Sequence, residues 1–393
     1  MIILKIIYFL VTGYFIFCAL YVLTYSVAGL FYKNPVFGKA SIFRKIAILV
    51  PAYKTDEVIE YLADNVLLQD YPNFDLIIIA DSLSEAVLIR LKQKRVKVMP
   101  FHDENRTKAL ALNTIMAQLP DDYDIALILD ADNLIPARDY LSRLNDIFET
   151  GVQAVQTHRT AKNTNTYLAL LDAISEEINN QLFRRGHAAL GLSSALSGSA
   201  MAFDYRLYRE QMQSITTSGE DKELEIRLLG MSVSIKYMED MIVLDEKVQR
   251  ASSFVNQRAR WIANQLMQAK NNIGEGFRQL SHGNIDFFDK VLQHFLMPRL
   301  FLIASVTVIS GIALFFLHDV YLHIWLVITI IVYFSILISI PKRMYTIRLL
   351  KSVLYLPIAV ALMILSVFKM KGATTKFVAT EHASINCNSQ TQI

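Results

Sequence analysis

Two carboxylates stand one residue apart at Asp130-Ala-Asp132, directly after an uninterrupted apolar run over residues 125–129. Such a run, bounded by polar residues, predicts a strand that is buried on both faces of a parallel sheet. Ligands of these sheets bind beyond the carboxyl ends of the strands, and alternation directs both side chains the same way. Because neighbouring carboxylates repel each other unless a cation lies between them, we expect Asp130 and Asp132 to bind Mg²⁺ or Mn²⁺ carrying a diphosphate. The alternative is an acidic turn without a ligand.

The surrounding sequence predicts the elements that would position these aspartates. Two more apolar runs predict buried strands, residues 45–50 and 74–80. Amphipathic segments alternate with the strands, which is typical of a parallel α/β sheet with right-handed crossovers. The strand ends would bring Pro51-Ala-Tyr53 and Asp81 to the aspartate pair, and this is the layout of a nucleotide site. Taken singly, a tyrosine after a strand can be packing, and an aspartate there can cap a helix.

Hydrophobic residues are concentrated at the two ends of the chain. The 393-residue protein is 53% hydrophobic, with a mean hydropathy of +0.33. Residues 1–32 contain one charged residue, Lys5, and residues 300–340 contain one, Asp319. Since about 20 apolar residues suffice to cross a bilayer, we expect an integral membrane protein in contact with lipids. The net charge of +3 gives no indication of nucleic-acid binding.

Basic residues beside the apolar segments predict the orientation of the chain. Basic residues follow the first segment at Lys33, Lys39, Arg44 and Lys45, so the positive-inside rule places the next domain in the cytosol. The membrane itself is expected to be the inner (plasma) membrane of a bacterium. The segment is longer than a signal-peptide core of ~7–15 residues, which favours an uncleaved anchor. Four regions are predicted: a transmembrane anchor (1–40), a cytosolic catalytic domain (41–283), interfacial and transmembrane helices (284–368) and a cytosolic tail (369–393).

The last apolar stretch, residues 353–368, is short and contains Pro357. Lys369, Lys371 and Lys376 follow it, and a crossing would place them outside, against the positive-inside rule. We therefore predict a re-entrant or interfacial helix here rather than a further crossing.

The polar motifs of the chain, taken together, resemble those of a known enzyme family. They are Pro51-Ala-Tyr53, Asp81, Lys108-Ala-Leu-Ala-Leu-Asn113, Asp130-Ala-Asp132, Ser197-Gly198-Ser199, Gly219-Glu220-Asp221 and Gln257-Arg258-Ala-Arg260-Trp261. Their order resembles that of membrane-bound family 2 glycosyltransferases with the GT-A fold, such as cellulose, hyaluronan and poly-N-acetylglucosamine synthases. The resemblance covers nearly the whole chain, although Gly219 stands where the family motif has threonine.

This resemblance implies an α/β GT-A domain with a Rossmann-like mixed sheet. It further implies a metal-dependent inverting hexosyltransferase, using Mg²⁺ or Mn²⁺, that moves a sugar from a UDP-sugar to a growing β-linked polysaccharide. One alternative is transfer of a single sugar to a lipid acceptor. Another is a catalytically inactive sugar-nucleotide-sensing or scaffold subunit. Since about three crossings make a thin pore, extrusion would need a homo-oligomer or an export partner.

The resemblance also assigns roles to residues. Asp221, with Glu220 beside it, would be the catalytic base that accepts the proton of the attacking hydroxyl. The residues that would bind the nucleotide sugar are Pro51, Tyr53, Asp81, Lys108, Asp130 and Arg260, and those that would bind the metal are Asp132 and Asp130. The residues that would bind the acceptor are Gly198, Ser199, Gln257, Arg258 and Trp261.

Several of these roles have a purely structural alternative. Lys108 could lie on a solvated helix face. Asp221 could be a first-turn carboxylate stabilised by the helix dipole. The segment Gln257–Trp261 could belong to a basic amphipathic helix at the membrane surface, with an interfacial tryptophan.

The tail contains Phe377 and Thr380 in a segment that resembles the gating loop of cellulose synthase. Ala379 and His382 depart from that pattern, which leaves the role of His382 open. The resemblance implies that Phe377 and Thr380 close over the bound nucleotide and exclude water. The alternative is an ordinary polar tail.

Overall fold

The structure is a computed structural model that describes residues 2–103, 107–316 and 319–370. Seven strands of the described chain form one sheet: β1 (Ile46–Tyr53), β2 (Phe74–Asp81), β3 (Lys97–Pro100), β4 (Ile125–Ile128), β5 (Ala154–Ala161), β6 (Met201–Asp204) and β7 (Ile235–Asp245). Their order is β3-β2-β1-β4-β6-β5-β7. The first four are parallel, and β6 runs antiparallel to both of its neighbours. The short β6 therefore makes the sheet mixed, as the GT-A resemblance implies.

Helices α2 (Ile59–Leu67), α3 (Glu85–Lys92) and α5 (Tyr140–Glu149) pack on one face of this sheet, and α4 (Lys108–Gln118), α8 (Tyr205–Met212) and α9 (Glu220–Gly230) pack on the other. The described domain also contains α6 (Tyr167–Asn179), α7 (His187–Ala189) and α10 (Ala251–Ser281). Alternate residues of β1 enter two separate cores, Ile48 with α2 and α5, and Leu49 with α4 and α8. Because both faces are buried, the central strands consist of unbroken apolar runs.

The direction of strand addition reverses at β1. This strand pairs with β2 on one side and with β4 on the other, both in parallel. The register places Tyr53 opposite Asp81, and the carboxyl end of β4 lies alongside. A crevice forms outside the strand ends at such a switch point, and it is where open α/β sheets bind ligands.

Three helices of the described residues are long and apolar enough to cross a membrane. They are α1 (Ile2–Ala28, extended by a 3₁₀ turn to Phe31), α12 (Arg299–Phe316) and α13 (Asp319–Ser339), and α11 (Ile285–His294) precedes α12. The stretch around Pro357 forms a pair, α14 (Ile347–Val353) and α15 (Leu356–Phe368), bent by 52°. The proline lies in the first turn of α15, where its missing N–H group is not needed. A bend of this size fits either a broken membrane span or a re-entrant loop.

Helix α1 packs tightly against the domain through a π-helix, Asn180–Gly186, that continues α6. Gln181 Nε2 donates a hydrogen bond to the Ser26 carbonyl oxygen, at 2.8 Å. A Cβ atom at Gly186 would lie 2.2 Å from the Tyr25 carbonyl oxygen, so only glycine permits this approach. The Tyr25 ring stacks on His187, and its hydroxyl donates to Asp289 of α11 at 2.5 Å. Buried contacts thus fix α1 to the π-helix, to α7 and to α11.

Candidate active site

A cavity of about 720 Å³ opens along the carboxyl ends of the strands and continues to the apolar helices. The structure brings most of the sequence-predicted site residues to its wall: Pro51, Tyr53, Asp81, Lys108, Asp130, Asp132, Gly198, Glu220, Asp221, Gln257, Arg258, Arg260 and Trp261. Its volume is in the range of protein cavities that hold a small-molecule ligand. The motifs that are far apart in sequence therefore line a single space.

Asp130 and Asp132 meet a third carboxylate that the sequence analysis did not predict, Asp245. One carboxylate oxygen of each residue lies within 4.8 Å of the others. The strand ends at Ile128, so a turn rather than strand alternation brings Asp130 and Asp132 together. Asn133 closes this turn through two hydrogen bonds to Asp130, both of 3.0 Å. Its side-chain oxygen accepts from the backbone N–H group of Asp130, and its own backbone N–H group donates to the Asp130 carbonyl oxygen. Three hard oxygen ligands in this arrangement fit Mg²⁺ or Mn²⁺.

Asp245 enters the cluster because β7 ends there. The strand delivers the carboxylate from the far edge of the sheet, and the Glu246 N–H group donates to Asp132 Oδ2 at 3.1 Å. Asn133 Nδ2 donates to Asp132 and to Asp245, at 3.3 and 3.4 Å. The signal in the sequence is an apolar stretch, Met241–Leu244, that runs into an aspartate, as in the Asp81 and Asp130 strands.

Lys108 is a partly buried cation of the site, 18% exposed, and does not lie on a solvated helix face. It forms an ion pair with Asp130, donates to the Gly198 carbonyl oxygen at 2.7 Å, and lies 4.0 Å from Glu220. Burial acts to raise the pKa of Asp130, but the charge and hydrogen bond of Lys108 outweigh it and hold that pKa below its usual value. Lys108 therefore keeps Asp130 ionised and joins α4 to the loop before β6.

Glu220 and Asp221 begin α9 and face the same cavity. Burial raises the pKa of Glu220 to about 7; Lys108 opposes this shift, and the charge of Asp221 adds to it. Asp221 is less buried, and its Oδ2 atom would lie 3.9 Å from a Cβ atom at Gly198. Gly198 has φ +82°, a conformation that glycine adopts without strain. The side-chain-free Gly198 thus leaves space in front of the Asp221 carboxylate.

A network of buried charges supports the aspartate cluster from behind. Lys247 Nζ lies 2.8 Å from Asp245 Oδ2 and 3.8 Å from Glu176. Glu176 also pairs with Arg159 at 3.2 Å and with Arg184 at 2.9 Å. The sequence analysis did not predict this network, whose members come from β5, α6, the π-helix and the segment after β7.

Helix α10 presents its motif residues along the next part of the wall. The Arg258 guanidinium stacks over the Trp261 ring, 4.2 Å from its centroid, and forms an ion pair with Asp172 of α6. Trp261 remains 37% exposed, so one surface of its ring is open to a ligand. Arg260 lines the cavity as well.

Several buried polar atoms of this wall have no hydrogen-bond partner in the described part of the chain: Ser218 Oγ, Gln257 Oε1, Arg258 Nε, Asn264 Oδ1 and His294 Nε2. Buried polar atoms in native proteins are nearly always hydrogen-bonded, so such a group indicates a place where a ligand or ordered water binds. These five atoms are covered by neighbouring groups, so a ligand would have to move a side chain to reach them.

The remaining motif residues do not line the cavity. Ser199 is fully buried and does not line the cavity; Arg159 donates to its hydroxyl at 3.3 Å, and Ser199 helps to keep the pKa of Asp130 low. The structure thus places Ser199 behind Asp130, away from an acceptor. Gly219, which replaces the family threonine, has the Asn264 amide 2.6 Å from where a Cβ atom would lie. Phe377 and Thr380 lie outside the described residues.

Comparison with known proteins supports this fold. A family model described as "Glycosyltransferase like family 2" matches residues 44–264. The mannosyltransferase PcManGT from Pyrobaculum calidifontis, solved with GDP-Man and Mn²⁺, superposes with a TM-score of 0.52 at 17% identity, covering 84% of this chain and 96% of that chain. No curated protein matched the chain.

Two other solved structures align more weakly. Glucosyl-3-phosphoglycerate synthase from Mycobacterium tuberculosis, in complex with Mn²⁺, UDP and glucosyl-3-phosphoglycerate, gives a TM-score of 0.37 at 19% identity, covering 53% of this chain and 73% of that chain. S. aureus TarS in complex with UDP gives a TM-score of 0.37 at 14% identity, covering 56% of this chain and 64% of that chain.

The mixed sheet, with its carboxylates at the strand ends, has the GT-A fold. The match over residues 44–264 covers more than half of the chain. The protein belongs to the glycosyltransferase-like family 2.

Proposed function

We propose that this protein is a membrane-embedded, divalent-metal-dependent inverting glycosyltransferase with its catalytic domain in the cytosol. The observation that carries the proposal is that Asp130, Asp132 and Asp245 share one cavity with Lys108 and Asp221. A nucleotide sugar is expected at the strand ends, with its base beside Tyr53 and Asp81. The resemblance to polysaccharide synthases favours a UDP-sugar.

The three aspartates would hold Mg²⁺ or Mn²⁺, which when bound stabilises the negative charge of a nucleoside diphosphate. Lys108 keeps Asp130 ionised, and Arg260 supplies a guanidinium suited to phosphate oxygens. Phe377 and Thr380 would close over the nucleotide. These groups together favour departure of the diphosphate from the sugar.

Asp221 is proposed as the base, because it is more open to the cavity than Glu220 and faces the space at Gly198. The acceptor hydroxyl gives its proton to this carboxylate as its oxygen bonds to the anomeric carbon. Gly198, Gln257, Arg258 and Trp261 would hold the acceptor. Displacement from one side inverts the anomeric configuration, so an α-linked donor gives a β-linked product.

The resemblance to synthases predicts a growing β-linked polysaccharide as the acceptor, secreted through a homo-oligomer or with an export partner. A lipid-linked acceptor is the second candidate. The observation that favours it is the continuation of the cavity between α12, α13 and α15.

A donor screen with purified full-length protein tests the proposal. We expect nucleoside diphosphate release from one or more UDP-sugars in Mg²⁺ or Mn²⁺, and its loss in EDTA. Asp221→Asn should lower turnover by at least about 10²-fold with nucleotide binding unchanged. The surface variant Asp139→Asn should behave as the wild type. Full turnover of Asp221→Asn would contradict the assignment of the base, and an inactive subunit would release no diphosphate from any donor.

A further inference from the structure

Glu225 is a fully buried carboxylate that lies one turn after Asp221 on α9. Two ammonium groups contact it, that of Lys222 at 3.0 Å and that of Lys290, from α11, at 2.6 Å. Lys290 is fully buried as well. A buried ion pair adds little net stability compared with apolar packing of similar volume, whereas it can fix the arrangement of the groups that it joins. The role of this cluster therefore depends on what it holds in place.

Residues 195–198 line the cavity beside the proposed base and have no regular secondary structure. Other elements hold their backbone. The Ala195 N–H group donates to the Phe183 carbonyl oxygen at 2.9 Å. The Ser197 N–H group donates to Gln156 Oε1, also at 2.9 Å. Because this segment belongs to no strand or helix, its position depends on such contacts with its neighbours.

Leu196, in the middle of the segment, is held by the charged cluster. Its N–H group donates to Glu225 Oε2 at 3.2 Å, and its carbonyl oxygen accepts from Lys222 Nζ at 2.5 Å. Both backbone polar groups of one residue are thus bound by charged side chains of α9. Hydrogen bonds to charged groups are about twice as strong as those between neutral groups. Since α9 also carries Asp221, these two bonds fix the segment relative to that carboxylate.

Lys290 extends this contact to α11. Next to the ion pair, apolar residues of α9 and α11 form one buried cluster: Ile226, Leu229, Phe287 and Val291. Helix α11 is itself bound to α1 through Asp289. Helix α9 is therefore held between the segment at Leu196 and a helix that is attached to the N-terminal anchor.

We propose that Glu225 is a positioning residue for sugar transfer. Together with Lys222 and Lys290, it keeps residues 195–198 at the distance from Asp221 that an acceptor hydroxyl needs. Glu225 does not line the cavity, so it acts through α9 and the segment. The inference rests on the proposed function, because it concerns the geometry of that same reaction. A misplacement of about 1 Å can cost about 10²-fold in rate, so loss of this contact should lower kcat while nucleotide binding persists.

Two double variants of the full-length protein separate the hydrogen bond from the charges. Glu225→Gln/Lys290→Met removes the ion pair but keeps an oxygen that accepts from the Leu196 N–H group. Glu225→Leu/Lys290→Met removes both. We expect kcat for nucleoside diphosphate release to stay within about threefold of the wild type in the first and to fall at least about tenfold in the second. The Kd for UDP with Mn²⁺ should be unchanged in both. Equal kcat values for the two variants would overturn the proposal.

Amide hydrogen exchange of residues 195–198 measures the contact independently of turnover. The segment should exchange at least about tenfold faster in Glu225→Leu/Lys290→Met than in Glu225→Gln/Lys290→Met, because the Leu196 N–H group has lost its acceptor. Faster exchange with unchanged kcat would overturn the positioning role. If the wild type released no nucleoside diphosphate from any donor, the proposed function would fail. The exchange rates would still decide whether Glu225 holds the segment.

Two single variants cover the case in which the buried double variants fail to fold. Lys222→Met, at a partly exposed position, removes the bond to the Leu196 carbonyl oxygen and should lower kcat at least about threefold with UDP binding unchanged. Glu223→Leu is the control, because it breaks the ion pair with Arg227 on the same helix and does not line the cavity. It should leave both kcat and exchange unchanged. Equal effects of these two variants would also overturn the proposal.

Discussion

The two ends of the cavity satisfy their polar groups in different ways. At the strand ends, Asp130, Asp245 and Glu176 each contact a lysine or an arginine. Along α10, the buried oxygens of Gln257 and Asn264 have no partner among the described residues. The donor end is therefore held in place by ion pairs within the protein, whereas the acceptor end contains buried oxygens without a partner among the described residues. It follows that mutations at the donor end should cost stability or metal binding, and mutations at the acceptor end should cost acceptor affinity.

The largest expected effect is that of Asp132→Asn. It removes one anionic ligand from the carboxylate cluster while keeping the shape of the side chain, and the loss of such electrostatic stabilisation lowers turnover by about 10³-fold. Sugar transfer and Mn²⁺ binding by electron paramagnetic resonance would measure the two consequences. The exposed Asp139→Asn serves as the control. Unchanged Mn²⁺ binding would remove Asp132 from the metal site.

Lys247→Met tests whether the donor end depends on internal charge pairing. Lys247 is 3% exposed and its removal leaves Asp245 without its closest cation, which costs about 3 kcal/mol or more of unfolding free energy. Thermal unfolding in EDTA would measure it, and added Mn²⁺ should recover part of the loss. Lys97→Met, which breaks the exposed pair with Asp75, should cost about 0–1 kcal/mol. Equal losses for the two variants would contradict the comparison.

Gln257→Leu makes the corresponding test at the acceptor end. It replaces a buried oxygen that has no partner with an apolar group of similar size, so the unfolding free energy should change by less than about 1 kcal/mol. The kcat/KM for the acceptor should nevertheless fall by about tenfold, because one hydrogen bond to the ligand is lost. Parallel melting curves and acceptor titrations would separate these effects. A large loss of stability would show that Gln257 is structural.

The smallest expected effect concerns pH. Burial raises the pKa of Glu220 to about 7, while in the unfolded chain it is ~4.3. The stability that Glu220 contributes is thus fully present below ~4.3 and is lost as the pH rises through about 7. The Tm of the wild type should therefore fall by about 2–4 °C more than the Tm of Glu220→Gln between about pH 5 and pH 7. The variant lacks the group that loses its proton. The exposed Glu57→Gln should follow the wild type, and parallel curves for all three proteins would refute the prediction.

The sequence predicted the part of the site that depends on local patterns. The runs before Tyr53, Asp81 and Asp130 are buried strands, because a strand buried on both faces must be apolar throughout. The motif residues of α9 and α10 line the cavity as well. Parallel strands bring their carboxyl ends to one edge, so the positions of these residues follow once the strands are recognised.

The remainder depends on contacts between distant segments. Asp245 reaches the cluster only because β7 pairs with β5 in parallel, and a single sequence does not specify that pairing. The four-residue β6 carries too short a pattern to reveal that it runs antiparallel. Ser199 was expected to bind the acceptor, yet its hydroxyl is buried beside Arg159. Side chains joined across such distances are set by the tertiary fold.

The close approach of Gly186 to Tyr25 bears on how the protein meets its substrate. The backbones of α1 and the π-helix are in direct contact, because any residue larger than Gly186 would collide with the backbone of Tyr25. Helix α1 therefore cannot move freely relative to the catalytic domain. In the proposed membrane orientation, the catalytic opening would then stay at one constant depth beside the lipid headgroups. An acceptor would then have to reach the enzyme at that depth, because the catalytic domain could not extend further into the cytosol.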